Sequence, residues 1–366
     1  MAQSKAESRR LRVGIIGVGN ISPAYISGCH FFHVLDLVAC ADIDMHRAER
    51  VAAENAIPHA YSVDQLLADP AIDAVINLTV PAAHADVSLK VINAGKHVYS
   101  EKPLAITLAD GQAILAAAQA KGVRVGGAPD TFMFGPHQNC RQMLDSGAIG
   151  NVVAGAAFLA SHGPEKWHPN PDFFYKPGGG PMLDMGPYYI TCLVNLLGPV
   201  VRVSGAARAS FPERIAGDGH HIRVGVPTHY TGTLEFASGA LVTLIVSFDV
   251  WQHRLPRGME LYGERGTLTV PDPNGHDPRE VQLFTTEAGH WAEVPSAYPP
   301  DWARGIGLAD MAYAIQEQRP HRASGDLAFH VLEVMHAFET AYRAGTYVTL
   351  RSTCARPEVM SIDFAS

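Results

Sequence analysis

The chain has 366 residues, 47% of them hydrophobic, with 28 Lys and Arg against 36 Asp and Glu. That length and apolar content allow two cores, and so two domains. The formal net charge of −8 argues against nucleic acid, which selects clustered cations.

No apolar stretch is long and clean enough to span a bilayer. The cysteines (Cys29, Cys40, Cys140, Cys192 and Cys354) are odd in number and lack a C-x-x-C pair, which reads as reduced thiols of a cytoplasmic protein. The 18 histidines form no H-E-x-x-H or similarly tight spacing, so no metal site is expected.

In chain order, Leu11–Ile16 is an apolar run of strand length, followed at once by Gly17-Val18-Gly19-Asn20-Ile21-Ser22. Arg9-Arg10 is not read as an export signal, because the apolar segment behind it is this strand, with no cleavage site before the glycines. Gly17 permits the tight turn, and Gly19 lets backbone approach a pyrophosphate seated on the amides of Asn20 and Ile21 at the start of the next helix. Ser22 stands where a third glycine is usual. A second strand, Leu35 to Ala41, ends in Asp42, near the distance expected of the acidic residue that holds an adenosine ribose. A carboxylate there repels a 2′-phosphate, so NAD is favoured over NADP; Arg47 could soften that preference, or be a solvated helix arginine beside Glu49. Strand 74–79, helix 82–94, strand 97–100, helix 107–121 and strand 123–127 continue an alternation that predicts a doubly wound parallel sheet over residues 8–130.

Past Thr131 the pattern changes. Helical sequence precedes alternating runs at 152–159, 200–207, 228–235, 241–247, 259–262 and 267–270. These predict an antiparallel or mixed sheet with one face covered by helices, in a second domain of residues 131–366. Residues 275–300 read as a loop or ragged edge hairpin, and helices around 308–318 and 326–344 close the chain. Between the first two runs, Gly178-Gly179-Gly180 opens a helix with Pro181 in its first turn and Gly198 past its end. Asp184 and Tyr188 stand at i and i+4 on it and share a face. They read either as a proton-handling, hydroxyl-gripping pair or as incidental polar residues. Pro187 lies between them and predicts a kink.

The glycine turn, Gly95-Lys96-His97-Val98-Tyr99-Ser100-Glu101-Lys102-Pro103, Ser146-Gly147-Ala148-Ile149-Gly150 and Gly178 to Tyr188 occur in the order seen in one family. Over nearly its whole length the chain resembles the glucose-fructose oxidoreductase / inositol dehydrogenase / rhizopine-catabolism (Gfo/Idh/MocA) family. That resemblance implies a Rossmann domain followed by an α+β domain with a large, mostly antiparallel open sheet, whose free face joins subunits into a homodimer or homotetramer. It implies catalytic roles for Lys102, Asp184 and Tyr188, the latter where many members carry histidine. It places Asn77, Thr79, Pro81, His84 and Glu101 at the cofactor and makes Lys102–Pro103 a cis peptide.

A free phenol, with a pKa near about 10, is a poor base unless a cation lies beside it. In the expected scheme Tyr188 takes the hydroxyl proton, Lys102 tunes it and bonds the reacting oxygen, and Asp184 orients a neighbouring hydroxyl. Lysine as the acid/base, with tyrosine positioning, is the alternative. The loop Ser161–Asn170, with His162, Trp167 and His168, and Phe173 to Tyr175 after it, suits the flat faces and hydroxyls of a sugar or cyclitol; the other reading is a Pro-rich loop anchored by its aromatics. Trp251, His253 and Arg254 form a second candidate wall, and His220-His221 reads as a solvated loop. With no arginine cluster for phosphate, the expected activity is NAD-linked oxidation of an unphosphorylated carbohydrate. The alternatives are a keto-sugar reductase, a glycoside-cleaving enzyme that recycles bound NAD, and a cofactor-sensing regulator without turnover.

Overall fold

The computed structural model describes residues 9–255, 257–275 and 281–364. Residues 8, 365 and 366 of the expected domains lie outside the described residues, as do 276–280 of the expected loop or edge hairpin. The chain forms two compact units. One runs to Asp130 and takes in Asp301–Ala328 and the tail from Asp363; the other comprises Thr131–Pro300 and Phe329–Ile362.

In the first unit, β1 (Leu11–Ile16), α1 (Ser22–Phe31), β2 (Leu35–Ala41), α2 (Met45–Glu54), β3 (His59–Tyr61), α3 (Val63–Ala68), β4 (Ala74–Asn77), α4 (His84–Asn93), β5 (His97–Ser100), α5 (Leu108–Lys121) and β6 (Val125–Gly127) alternate along the chain. The six strands are parallel in the order β3-β2-β1-β4-β5-β6. Their near-continuous apolar runs fit strands covered on both faces, and Val13, Ile15, Ala39, Val75 and Ile76 are wholly buried. Strand order reverses between β1 and β4, so the glycine turn after β1 opens at the point where such sheets bind ligands. Local signals set the helix starts: Asp44, Ser62 and Thr107 each accept a backbone N–H of the first turn of α2, α3 and α5.

The second unit begins with α6 (Gly135–Asp145), β7 (Val152–Ala160) and α7 (Gly180–Leu197), and continues with β8 (Val200–Arg208), β9 (Glu213–Ile215), β10 (His221–Arg223), β11 (His229–Phe236), β12 (Leu241–Ser247), β13 (Gly258–Gly263), β14 (Gly266–Val270), β15 (Val281–Thr285) and β16 (Trp291–Val294). With the late strand β17 (Val348–Thr349), nine strands pair in the order β16-β15-β14-β13-β7-β12-β11-β8-β17. Among the described residues, only β7 and β12 run parallel in that sheet. α7 packs against β7, β11 and β12, and α6 against β14 and β15. The opposite face carries, in register, Ser204, Thr233, Thr243, Ala156, Glu260, Thr269, Gln282 and Glu293. α8 (Ile306–Gln316) belongs to the first unit, while α9 (Gly325–Ala344) starts in the first and ends in the second.

Two expectations change. A single boundary after residue 130 does not describe the chain, because residues 301–328 return to the first unit: the amides of Gly305 and Gly307 bond Asp130, and Arg124 bonds the carbonyls of Ala314 and Arg319. α7 runs through Pro187, as expected; residues 186–197 are buried all round, and packing there outweighs the hydrogen bond lost at the Leu183 carbonyl. Strand pattern ran past the ladder at 78–79, and the backbone there turns through a 3₁₀ segment, Pro81–Ala83, before α4.

Candidate active site

Within the first unit the glycine turn has the shape a pyrophosphate needs. Gly17 adopts φ 93°, and a Cβ there would lie 2.9 Å from the Leu78 carbonyl, so only glycine fits. A Cβ on Gly19 would meet no heavy atom within 4 Å, which leaves the backbone open to a ligand. Ser22 replaces the usual third glycine without strain, because its hydroxyl folds back onto the Gly19 carbonyl at 2.8 Å. A groove of about 640 Å³ is lined by Val18, Gly19, Asn20, Ser22 and Arg47 among others. Open backbone, a helix N-terminus with no acidic residue in its first turn and a carboxylate at the end of β2 together fit a dinucleotide.

Asp42 is buried and accepts from the amides of Val18 (2.9 Å) and Asp44 (3.0 Å). Arg47 approaches it at 3.6 Å and Asp44 at 3.8 Å, so Arg47 pairs here rather than with Glu49, whose neighbour is His46. A guanidinium beside Asp42 weakens the argument from that carboxylate against a 2′-phosphate.

Asn77, at the end of β4, accepts from the Thr79 amide and hydroxyl and donates to the His84 carbonyl and Ser88 hydroxyl. Its side chain is therefore engaged in shaping the loop that holds Thr79 and Pro81. His84 is buried with both ring nitrogens against carbonyls, those of Pro103 and Thr79. Both residues were expected to touch the cofactor; the structure gives their polar atoms partners inside the protein.

Beyond β5, Lys102–Pro103 is cis. Glu101 is buried: one oxygen accepts from the Tyr25 hydroxyl (2.7 Å) and the other from the Lys102 amide (2.8 Å). Arg304 reaches the Glu101 carboxylate at 3.8 Å from the returning segment, whose carbonyl at 304 packs straight onto Gly28 of α1. Behind it Asp130 is fully buried and accepts from the amides of Gly305 (2.8 Å) and Gly307 (3.1 Å); burial pushes its carboxyl up, while Arg304 and these amides pull it down. Burial and Glu101 push the Tyr25 phenol well up, so it stays a donor. Arg304, Tyr25 and Asp130 carry no local sequence signal, since their partners lie 76 or more positions away.

In the second unit, Asp184 is half-buried and Tyr188 buried, one turn apart on α7. Gly180, at φ 87°, lets the chain turn into that helix. Met185, next to Asp184, packs against Phe174, Tyr175, Ala216, Ile222 and Phe248, so the aromatic loop expected to wall the substrate adjoins this turn of α7.

That loop is knit by charge as well as by rings. Arg214, wholly buried, pairs with Asp249 and with Glu165 at 3.4 Å, donates to the Phe248 carbonyl at 3.0 Å, and lies over the rings of Phe211 and Tyr175. Tyr175 donates to Glu165, and Thr228 to Asp249 at 2.9 Å. Arg214 Nη1 also stands 3.1 Å from His162 Nε2; a guanidinium only donates, so in that contact the ring nitrogen accepts. Burial, then Arg214, lowers the His162 pKa. His162 stacks on Trp251 with centroids 3.3 Å apart, joining the two loops expected as walls. Trp167 and Trp251 are 73% and 70% exposed, offering flat apolar faces, whereas His168 accepts from the Asn170 amide and packs edge-on to Phe173 and Phe174. His253 faces the carbonyls of Ala160 and Leu255 and acts as a strut. His220 sits between Asp172 and Asp218, which raise its pKa. Among the described residues no cluster of three or more His, Cys, Asp or Glu could hold a metal ion, and no helix is long and apolar enough to cross a membrane.

Residues 11–127 match the sequence model of an oxidoreductase family with an NAD-binding Rossmann fold, and residues 137–269 match the GFO/IDH/MocA C-terminal domain. A 1,5-anhydro-D-fructose reductase of Ensifer adhaerens is 29% identical over 70% of this chain and 74% of its own. D-xylose 1-dehydrogenase (NADP(+)) 2 of Haloferax volcanii is 30% identical over 64% of this chain and 67% of its own. A solved levoglucosan dehydrogenase, in complex with NADH and L-sorbose, superposes with a TM-score of 0.80 at 20% identity, covering 94% of this chain and 99% of its own.

Proposed function

Because the chain belongs to the Gfo/Idh/MocA family of NAD(P)-binding, sugar-type oxidoreductases, we propose that it oxidises a secondary hydroxyl of an unphosphorylated sugar, cyclitol or glycoside, with NAD as the preferred cofactor. The observation that carries this reading is the turn of α7 that presents Asp184 and Tyr188 together and packs, through Met185, against the aromatic loop. Exposed indole faces at Trp167 and Trp251 suit the C–H faces of a pyranose or cyclitol ring. The oxidised nicotinamide supplies a hydride acceptor when bound. Tyr188 takes the hydroxyl proton, the ammonium of Lys102 stabilises the negative charge that develops on the oxygens, and Asp184 orients a neighbouring hydroxyl. Glu101, gripped by Tyr25 and Arg304, fixes the backbone of Lys102.

NADH absorbance across monosaccharides, inositols and glycosides, with each cofactor, tests the activity. Lys102→Met and Tyr188→Phe are each expected to lower kcat at least about a hundredfold. A variant that keeps near wild-type kcat removes its residue from the scheme. The name of the Ensifer relative favours a second reading, in which the same groups run in reverse on a keto-sugar. Faster NAD(P)H consumption than production on matched substrate pairs would select it.

We further propose a cytoplasmic homodimer or homotetramer joined through the free face of the nine-stranded sheet, on which Leu241 and Trp291 stand about half exposed. Sedimentation of the wild type against Leu241→Asp checks the assembly, and an unchanged sedimentation coefficient rejects this face.

A further inference from the structure

His84 is buried, and a carbonyl oxygen faces each of its ring nitrogens: Pro103 O lies 2.7 Å from Nδ1 and Thr79 O lies 2.9 Å from Nε2. Carbonyls only accept, so each contact is a hydrogen bond only while the nitrogen facing it carries a proton. The two carbonyls belong to two loops with different work. Thr79 follows β4 in the loop whose backbone packs on the glycine turn, its amide 3.0 Å from where a Cβ on Gly17 would stand. Pro103 follows Lys102 directly. Meanwhile the main chain of His84 is tied to β4, its carbonyl accepting from Asn77 at 3.0 Å, so the ring bridges the loops from a fixed base.

We propose that His84 is a positioning residue that divides two tasks between its two ring nitrogens. Nε2 holds the Thr79 loop against the glycine turn and so supports nucleotide binding. Nδ1 holds the Pro103 carbonyl and so supports the placement of Lys102. The inference rests on the dinucleotide-dependent reading above. A neutral imidazole has one N–H and secures one loop at a time, whereas an imidazolium secures both. The charged groups that face the ring are Glu101, which favours the proton, and Lys102, which opposes it; burial opposes it most and lowers the pKa. The doubly bonded state is therefore populated on the acid side of the ordinary histidine range, and the second bond forms as pH falls through the lowered pKa.

Three substitutions in the full chain separate the tasks. An asparagine amide nitrogen falls near the place of Nδ1 and a glutamine amide nitrogen near that of Nε2, while phenylalanine donates from neither. His84→Asn is expected to weaken NADH binding by about tenfold, the loss for one hydrogen bond, and to lose less in kcat. His84→Gln is expected to show the reverse split, and His84→Phe to lose both. Equal losses in both quantities for Asn and Gln, or no loss in either, overturn the proposal. If no carbohydrate is turned over, the functional reading fails by itself, while NADH affinity across the series still decides the role of His84: Gln retains it, Asn and Phe lose it. Should the variants not fold, ¹⁵N spectra of the wild-type imidazole decide. Protonation of the second nitrogen on acidification between about pH 7 and 4, in step with tighter NADH binding, supports the division. One fixed tautomer with constant affinity over that range overturns it.

Discussion

Replacing Arg214 by methionine keeps the volume of the side chain and removes its charge from a site where Arg214, Glu165 and Asp249 are all at most 5% exposed. Glu165 would retain the Tyr175 hydroxyl and His162 Nε2 at 3.7 Å, and Asp249 the Thr228 hydroxyl and the Ser210 amide. Breaking a buried ion pair from one side costs about 3–5 kcal/mol, because the remaining charge stays desolvated. For a unit of this size each kcal/mol moves the melting temperature by about 2–4 °C, so Arg214→Met is expected to melt roughly 6–20 °C lower. Calorimetry of wild type, Arg214→Met and the triple variant that adds Glu165→Gln and Asp249→Asn isolates the cause. Neutralising both acids removes the stranded charge, and the triple variant is expected to recover more than half of the loss. A single variant that melts within about 2 °C of wild type, or a triple variant no better than the single one, would refute the reasoning.

Two glycines two positions apart are expected to fail differently. Gly17→Ala forces φ 93° on a side chain 2.9 Å from the Leu78 backbone and is expected to cost about 1–3 kcal/mol, read from the melt. Gly19→Ala has open space, so its melt is expected to match wild type while the NADH dissociation constant, by titration, rises at least about tenfold. His321 gives a pH signature. It is half-buried against the Val125 carbonyl at 3.0 Å, and desolvation lowers its pKa to about 4. As pH falls from about 6.5 to about 4 the unfolded chain takes up a proton that the folded one refuses, and stability drops by up to about 3 kcal/mol. Denaturant unfolding at several pH values is expected to show a shallower acid slope for His321→Gln than for wild type.

The first unit was legible because its information is local. Runs such as Leu11–Ile16 and Leu35–Ala41 are apolar throughout, the glycine turn follows at once, and Asp42 falls at a spacing set by one strand–helix–strand unit. Short elements escaped: β3, β9 and β10 have three residues each, below the length at which alternation can be told from chance. The site divided along the same line. Lys102, Asp184 and Tyr188 sit in compact motifs, whereas Arg214 finds Glu165 and Asp249 at separations of 49 and 35 residues. His84 was recognisable as a residue of the cofactor region, but its two carbonyl partners follow from a fold that brings positions 79 and 103 to one ring.

The return of residues 301–328 to the first unit bears on how the protein is made. When the six parallel strands have left the ribosome, Asp130 is still without the amides of Gly305 and Gly307, and Glu101 without Arg304. At about 5–20 residues per second, translation needs roughly 10–40 s more before those partners emerge. The nascent nucleotide-binding unit must wait that long for these bonds, so a chain released early at the apparent domain boundary would carry every recognisable motif of that unit and lack the segment that ties down Asp130 and Glu101.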